Sequence, residues 1–79
     1  MALKIVSAIY GNNGKIADIT AKVQDIVKNG NDDVLINNAT LGIDPDIGKG
    51  KQFASIYFYE DGTIHTISGK ENDTLDFVK

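Results

Sequence analysis

The first residue to consider for chemistry is His65, the only histidine among the 79 residues of the chain. Nucleophilic and acid–base catalysis require a nucleophile, a base and an orienting group in contact with one another. Ser55 and Ser68 are the hydroxyls predicted to face each other, and no motif surrounds either one. The chain contains no cysteine, which removes another common nucleophile. The sequence therefore predicts a protein that is not an enzyme, in which His65 is half-buried and hydrogen-bonded.

Carboxylates offer a second kind of chemistry, the binding of a hard cation. Asp44 and Asp46 flank the only proline, and Asn37 and Asn38 stand a few residues before them. Carboxylate and amide oxygens are the ligands that calcium prefers, although this spacing does not match an EF-hand. We expect no cofactor. Calcium is the ion that this loop would hold, at Asp44 and Asp46. A small lectin-like protein that binds carbohydrate with these residues, assisted by calcium, is the alternative function.

The elements that must position these residues are organised around a predicted β-hairpin over residues 51–68. Two runs rich in β-branched and aromatic residues flank Asp61 and Gly62, and Asp-Gly favours a two-residue type I′ turn. In that register Tyr59 pairs with Ile64, and successive side chains alternate between two faces. One predicted face carries Ala54, Ile56, Phe58, His65 and Ile67, and the other carries Phe53, Tyr57, Tyr59, Ile64 and Thr66.

Both faces of this hairpin are apolar, and exposed apolar patches mark binding sites. One short helix covers about two strands, so one face is left for another occupant. We expect the face with Phe53, Tyr57, Tyr59 and Ile64 to be exposed, because tyrosine hydroxyls can stay solvated while their rings pack. The alternative is that this face forms the core. The predicted function is a non-enzymatic recognition module that binds a protein or glycan through this face and the 37–50 loop, with a homodimer on the same face.

The remaining elements are predicted from apolar periodicity and turn residues. Residues 21–29 repeat apolar side chains with the helical period, and Thr20 is the expected N-cap. Residues 37–50 are expected to form a long loop that Leu41, Ile43 and Ile47 pin to the core. Further strands are predicted over 3–10, 34–36 and 74–78. Together these elements predict a single domain over 1–79, a β-dominated α+β fold with a small antiparallel sheet of four or five strands and one short helix. A two-sheet β-sandwich is the alternative.

Charge and composition exclude two classes of partner. The formal net charge is −3, and the basic residues are lysines scattered along the chain. Nucleic-acid binding usually needs a clustered basic face, so no nucleic acid is expected. No run approaches the roughly 20 apolar residues of a membrane span. The N-terminal apolar run is short and Lys4 interrupts it, so we expect a cytoplasmic protein, or one exported without a classical signal peptide.

A set of landmarks also occurs in a distinctive order along the chain. They are Ala8-x-Tyr10-Gly11, Asp18-x-Thr20, Val23, Val27, Leu41, Asp44-Pro45-x-x-Gly48 and Lys51-x-Phe53-x-x-x-Tyr57-x-Tyr59. Together they resemble the poorly characterised domain that closes the mitochondrial J-domain co-chaperones of the DnaJ subfamily C, member 11 type, which is also found as short stand-alone proteins. The resemblance implies a non-catalytic interaction module and supplies no catalytic residues. Neither a J-domain nor a mitochondrial presequence is seen, so no cellular role is implied.

Overall fold

The computed structural model describes residues 3–79, which form six strands and two helices. Their bounds are β1 Lys4–Asn12, β2 Lys15–Asp18, α1 Thr20–Val27, β3 Asp33–Leu35, α2 Asn38–Leu41, β4 Gln52–Phe58, β5 Ile64–Lys70 and β6 Thr74–Asp76. Strands β2, β1, β4 and β5 form an antiparallel sheet in that order, and β3 pairs with β6 in a second, two-stranded sheet. The predicted β-dominated α+β fold with a four-stranded antiparallel sheet is confirmed.

Strands β1 and β2 are joined by a tight turn at Asn13 and Gly14. Their φ angles are 51° and 81°, and Asn12 pairs with Lys15 on either side of them. Positive φ at both central residues is the geometry of a type I′ turn, and Asn-Gly is a preferred sequence for it. The sequence predicts a turn here but not the four-residue strand that follows, so β2 is an addition to the predicted fold.

The β4–β5 hairpin has a register one residue away from the predicted one, because Phe58 rather than Tyr59 pairs with Ile64. The N–H of Gly62 donates to the carbonyl of Tyr59 (2.9 Å), and Gly62 has a φ of 79°. Asp61 does not adopt positive φ. A type I′ turn needs positive φ at both central residues, so the predicted two-residue turn is wrong and a longer connection replaces it.

Compared with the predicted register, this shift places every side chain of β5 on the opposite face of the sheet, because strand side chains alternate with a period of two. We call the two sides the core face and the outer face. On β4 and β5 the core face carries Phe53, Ser55, Tyr57, His65 and Ile67, and the outer face carries Ala54, Ile56, Phe58, Ile64 and Thr66. The predicted grouping of the β5 residues is therefore wrong, while the grouping within β4 is right.

A second layer, made of α1 and the β3–β6 pair, covers the core face. Helix α1 packs against β1, with Val23 and Val27 buried. Phe77 follows β6 and is fully buried, and its ring centroid lies 6.2 Å from that of Phe53 and 5.0 Å from that of Tyr57. The core therefore lies between one face of the four-stranded sheet and this second layer.

Helix α1 also covers the edge of β1 beyond the end of β2. Thr20 is the first residue of the helix, so it is not the predicted N-cap, and its Oγ1 accepts a hydrogen bond from the N–H of Ala8 (3.0 Å). The Gln24 side chain accepts from the N–H of Ile5 (2.8 Å) and donates to the carbonyl of Leu3 (3.1 Å). These side chains satisfy backbone groups that would otherwise need a further strand.

The packing of Phe77 gives the first prediction. We expect Phe77→Ala to lower the free energy of unfolding by about 3–5 kcal/mol, because it leaves a cavity between the two layers. The control is Val78→Ala, whose side chain is 55% exposed and whose loss should change stability by no more than about 0.5 kcal/mol. Urea denaturation measures both. Equal effects of the two substitutions would contradict the two-layer packing.

Candidate functional site

The aromatic face selected from the sequence is the centre of the core. Phe53, Tyr57 and Tyr59 are 2%, 2% and 1% exposed. The expectation that this face is exposed is wrong, because the β3–β6 pair and Phe77 cover it. A homodimer on this face therefore has no surface to use. Ile64 lies instead on the outer face, where it is 63% exposed.

The hydroxyls of the buried tyrosines are bonded within the fold. Tyr57 donates to the carbonyl of Val78 (2.8 Å), and Tyr59 donates to the carbonyl of Phe77 (2.5 Å). Burial raises the pKa of both hydroxyls, and the carboxylate of Asp76 raises the pKa of each further. These polar groups hold the segment after β6 in place and are not available to a ligand.

Asn37 and Asn38 begin the short helix α2, at the start of the predicted 37–50 loop. The Asn37 side chain is the N-cap and accepts from the N–H of Thr40 (2.7 Å). The Asn38 side chain accepts from the hydroxyl of Tyr10 (2.7 Å). Burial, followed by the charge of Glu71, raises the pKa of that hydroxyl. Both amides thus have structural partners, and the loop begins with a helical turn that was not predicted.

Asp44 pairs with a buried lysine. The Nζ of Lys51 lies 3.1 Å from Asp44 Oδ1 and 3.4 Å from Glu71 Oε1, and the Lys51 side chain is only 2% exposed. Burial alone would lower the pKa of Lys51, but the hydrogen bonds to the two carboxylates outweigh it and raise that pKa. The positive charge of Lys51 thus already pairs with the negative charge of Asp44 within the fold.

Asp46 has different hydrogen-bond and charge partners from those of Asp44. Its carboxylate accepts from the side chain of Asn12 (3.1 Å) and lies 3.8 Å from the Nζ of Lys15.

Of the apolar residues predicted to pin this loop, Leu41 is buried, whereas Ile43 and Ile47 are 43% and 84% exposed. The prediction is wrong for the last two, because hydrogen bonds and charge pairs anchor the loop.

The carboxylates that do come together are a different set. Among residues 3–79, the side chains of Asp32, Asp33 and Asp76 form one group whose ligand atoms lie within 4.8 Å of one another. Asp33 and Asp76 face each other across the β3–β6 pair. Burial raises the pKa of Asp76, and the charges of Asp32 and Asp33 raise it further. This group cannot be found from the sequence unless the pairing of β3 with β6 is known.

The outer face is the exposed apolar surface of the sheet. The second layer covers only the core face, so among the described residues nothing packs over the outer one. Large apolar side chains stand on all four strands of this face: Ile16 (57% exposed), Ile9 (40%), Ile56 (40%) and Ile64 (63%). Ile9 and Ile16 were not among the predicted site residues, and the Asn13–Gly14 turn is the signal that could have placed them here.

Two adjoining depressions, of about 540 and 310 Å³, run across the outer face. They share Ile9, Ala54 and Ser68, so they form one open groove. Small side chains make its floor, and the branched side chains of Ile16 and Ile56 line it on either side of Ala54. We refer to this surface as the outer groove, and it is the candidate binding site.

No family model, no curated protein and no solved structure matches this chain. The resemblance to the domain of the J-domain co-chaperones therefore stays a prediction. In the part of the chain that the structure describes, neither helix is long and apolar enough to cross a membrane.

The cluster of three carboxylates on and beside β3 and β6 leads to a prediction about the melting temperature and its dependence on pH. We expect Asp76→Asn to raise the melting temperature by roughly 1–5 °C at neutral pH, because opposed like charges destabilise a strand pair. The raised pKa means that the folded chain binds a proton before the unfolded chain does. The gain should therefore shrink as the pH falls through this pKa and vanish below the ordinary value of 3.8.

Asp25→Asn is the matched control for this substitution. Lys28 lies 2.7 Å from Asp25, and its hydrogen bond lowers the pKa of Asp25. Loss of that charge should leave the melting temperature unchanged or lower it slightly. Calorimetry across the acidic range compares the two variants. A similar rise in both would show that the opposed carboxylates are not the cause.

Proposed function

We propose that this protein is a non-enzymatic recognition module that binds a protein partner through the outer groove. The observation that carries the proposal is the exposed Ile16, Ile9 and Ile56 along this groove, with Ile64 exposed beyond it on the fourth strand of the same face. An exposed apolar row of this extent on a sheet face is a feature of interaction sites. Five of the six aromatic side chains fill the core on the opposite face, and Phe58 alone lies on the outer face.

The polar residues of the outer face support a protein partner. Lys4 lies at one end of the face, beside Phe58, and Lys70 lies at the other end, beside Gln52. Asp18 stands on the edge strand β2, beside Ile9. An apolar centre with charged residues at its margins is the usual arrangement of a protein–protein interface.

A protein partner is favoured over a glycan because of which groups are exposed. Glycan recognition would draw on exposed aromatic rings and free amide or carboxylate groups. Tyr57 and Tyr59 are buried, and the side chains of Asn37, Asn38 and Asp44 are engaged within the chain. The groove offers aliphatic side chains instead, which suit apolar side chains of a partner.

The surroundings of His65 support a role other than catalysis. Its ring stacks on that of Tyr57, with centroids 5.2 Å apart and an angle of 18° between the planes. Its Nε2 is buried and has no hydrogen-bond partner among the described residues, so the predicted hydrogen bond is missing at that atom. Ser55, the nearby core-face hydroxyl, donates to the carbonyl of Ser7 (2.8 Å). No nucleophile–base pair is formed by these groups.

The size of the outer face sets the expected affinity. Four strands spaced about 4.8 Å apart, with a mean length of about seven residues, present a planar area on the order of 400–500 Å². Stable complexes bury about 800 Å² of each partner. We therefore expect a transient partner with micromolar affinity, unless the partner extends past the sheet.

Selection of peptides from a random phage library on the immobilised chain tests this proposal. Peptides selected on the unmodified chain should bind Ile56→Lys at least about tenfold more weakly, because a charge then stands in the groove. Leu35→Lys is the control, since Leu35 is 42% exposed, close to the 40% of Ile56, but lies on β3 in the second layer. Circular dichroism confirms that both variants fold. Equal loss of binding in both variants, or loss in Leu35→Lys alone, would place the site elsewhere.

A further inference from the structure

Strand β5 forms one edge of the four-stranded sheet, and half of its backbone groups point away from β4. The N–H of Glu71 donates to the carbonyl of Lys51 (2.8 Å), just past the last pair of the ladder. Hydrogen bonding alternates along an antiparallel ladder, so the odd-numbered residues of β5 bond to β4. The N–H and C=O groups of Ile64, Thr66 and Ser68 therefore face outward. In the described part of the chain no group bonds to them.

The opposite edge of the sheet is covered in several ways. Strand β2 has only four residues and carries Lys15 and Asp18, and the edge of β1 beyond it is bonded by Thr20 and Gln24. Short strands and charged side chains are the usual means of preventing edges from pairing. From Ile64 to Ser68, strand β5 has no proline, lysine, aspartate or glutamate. The β2 edge is thus short and carries a charge at each end, whereas the β5 edge is longer and carries no lysine or carboxylate from Ile64 to Ser68.

We propose that β5 pairs with β5 of a second copy of this chain, antiparallel about a two-fold axis at Thr66. In this register Thr66 faces Thr66 of the second copy, and Ile64 faces its Ser68. The three outward-facing residues of each copy are then hydrogen-bonded to the other copy. This adds about six backbone hydrogen bonds in total. The two sheets become one continuous sheet across the axis.

The side chains of β5 fit this pairing with itself. On the outer face a threonine pair stands at the axis, a favourable cross-strand combination. On the core face His65 comes opposite Ile67 of the second copy, so no like charges meet. At each end Lys70 reaches the turn of the second copy, where Asp61 supplies an opposite charge. The N–H of Lys70 already donates to Asp73 (3.0 Å), which ends the open stretch.

The two-fold symmetry of the pairing limits the assembly to two chains. A two-fold interface uses the same strand of both copies, so no open β5 edge remains after pairing. The short, charged β2 edge disfavours further pairing, so a dimer rather than a fibre results. Edge pairing buries less than the 800 Å² per partner of a standard interface, so we expect a dissociation constant on the order of 10–100 µM. This inference does not rest on the proposed function, because it uses the backbone of β5 and not the outer groove.

Sedimentation equilibrium of the unmodified chain, up to about 1 mM, should show a monomer–dimer equilibrium in this range. Thr66→Pro removes an outward-facing N–H without breaking a bond to β4. This variant should be monomeric at all concentrations and keep the circular dichroism of the unmodified chain. An unmodified chain that stays monomeric to about 1 mM would overturn the proposal.

A pair of lysine variants separates edge pairing from contact between two outer faces. Thr66→Lys places two like charges at the axis and should abolish the dimer. Ser7→Lys adds the same charge in the same row of the outer face, on the inner strand β1, and should leave the dimer intact. A dimer that survives Thr66→Lys, or that Ser7→Lys abolishes, would overturn edge pairing.

Hydrogen exchange followed by NMR tests the register on the unmodified chain, so it does not depend on the folding of a variant. The amides of His65 and Ile67 bond to β4 and should be protected at every concentration. The amides of Ile64, Thr66 and Ser68 should gain protection only as the concentration rises through the dissociation constant. Concentration-independent exchange at Thr66 would contradict the proposal even if the chain dimerises.

Discussion

The structure depends on how the core is closed by the residues that follow β6. The ring of Phe77 packs between those of Phe53 and Tyr57, and the backbone carbonyls of Phe77 and Val78 accept the hydroxyls of Tyr59 and Tyr57. A buried hydroxyl without a partner costs about 1–3 kcal/mol, so these bonds specify one position for the segment. Apolar burial and hydrogen bonding thus both favour the same face of the sheet as the core.

Among the described residues, a single second layer packs on the four-stranded sheet. The second layer covers the core face, and the outer face keeps its row of isoleucines in contact with solvent. The edges differ in the same way, because α1 bonds to the free part of β1, whereas no described strand pairs with the outward side of β5. The two surfaces proposed for binding, the outer groove and the β5 edge, are what remains when one small core is complete.

The fold class and the positions of β1, α1, β3, β4, β5 and β6 were predictable, because apolar periods of 2 and 3.6 are local signals. The hairpin register was not, since Asp61–Gly62 resembles a type I′ turn, whereas Asn13–Gly14 is the place where that turn forms. The identity of the buried face was not predictable either. Both faces of β4 are apolar, and only residues distant in sequence, such as Phe77, decide which one is covered. Ion pairs such as that of Lys51 likewise depend on tertiary structure.

The central claim is that the aromatic face is the core and the outer face is open, and ionisation of the three tyrosines tests it most directly. Burial raises the pKa of Tyr10, Tyr57 and Tyr59 above the ordinary value of 10.0. Above pH 10.0 the folded chain therefore keeps protons that the unfolded chain releases. As a result, the stability of the fold falls as the pH rises above 10.0. We therefore predict that tyrosinate absorbance appears only together with the loss of circular dichroism during alkaline titration. A tyrosine that ionises near pH 10.0 while the fold is intact would contradict the account.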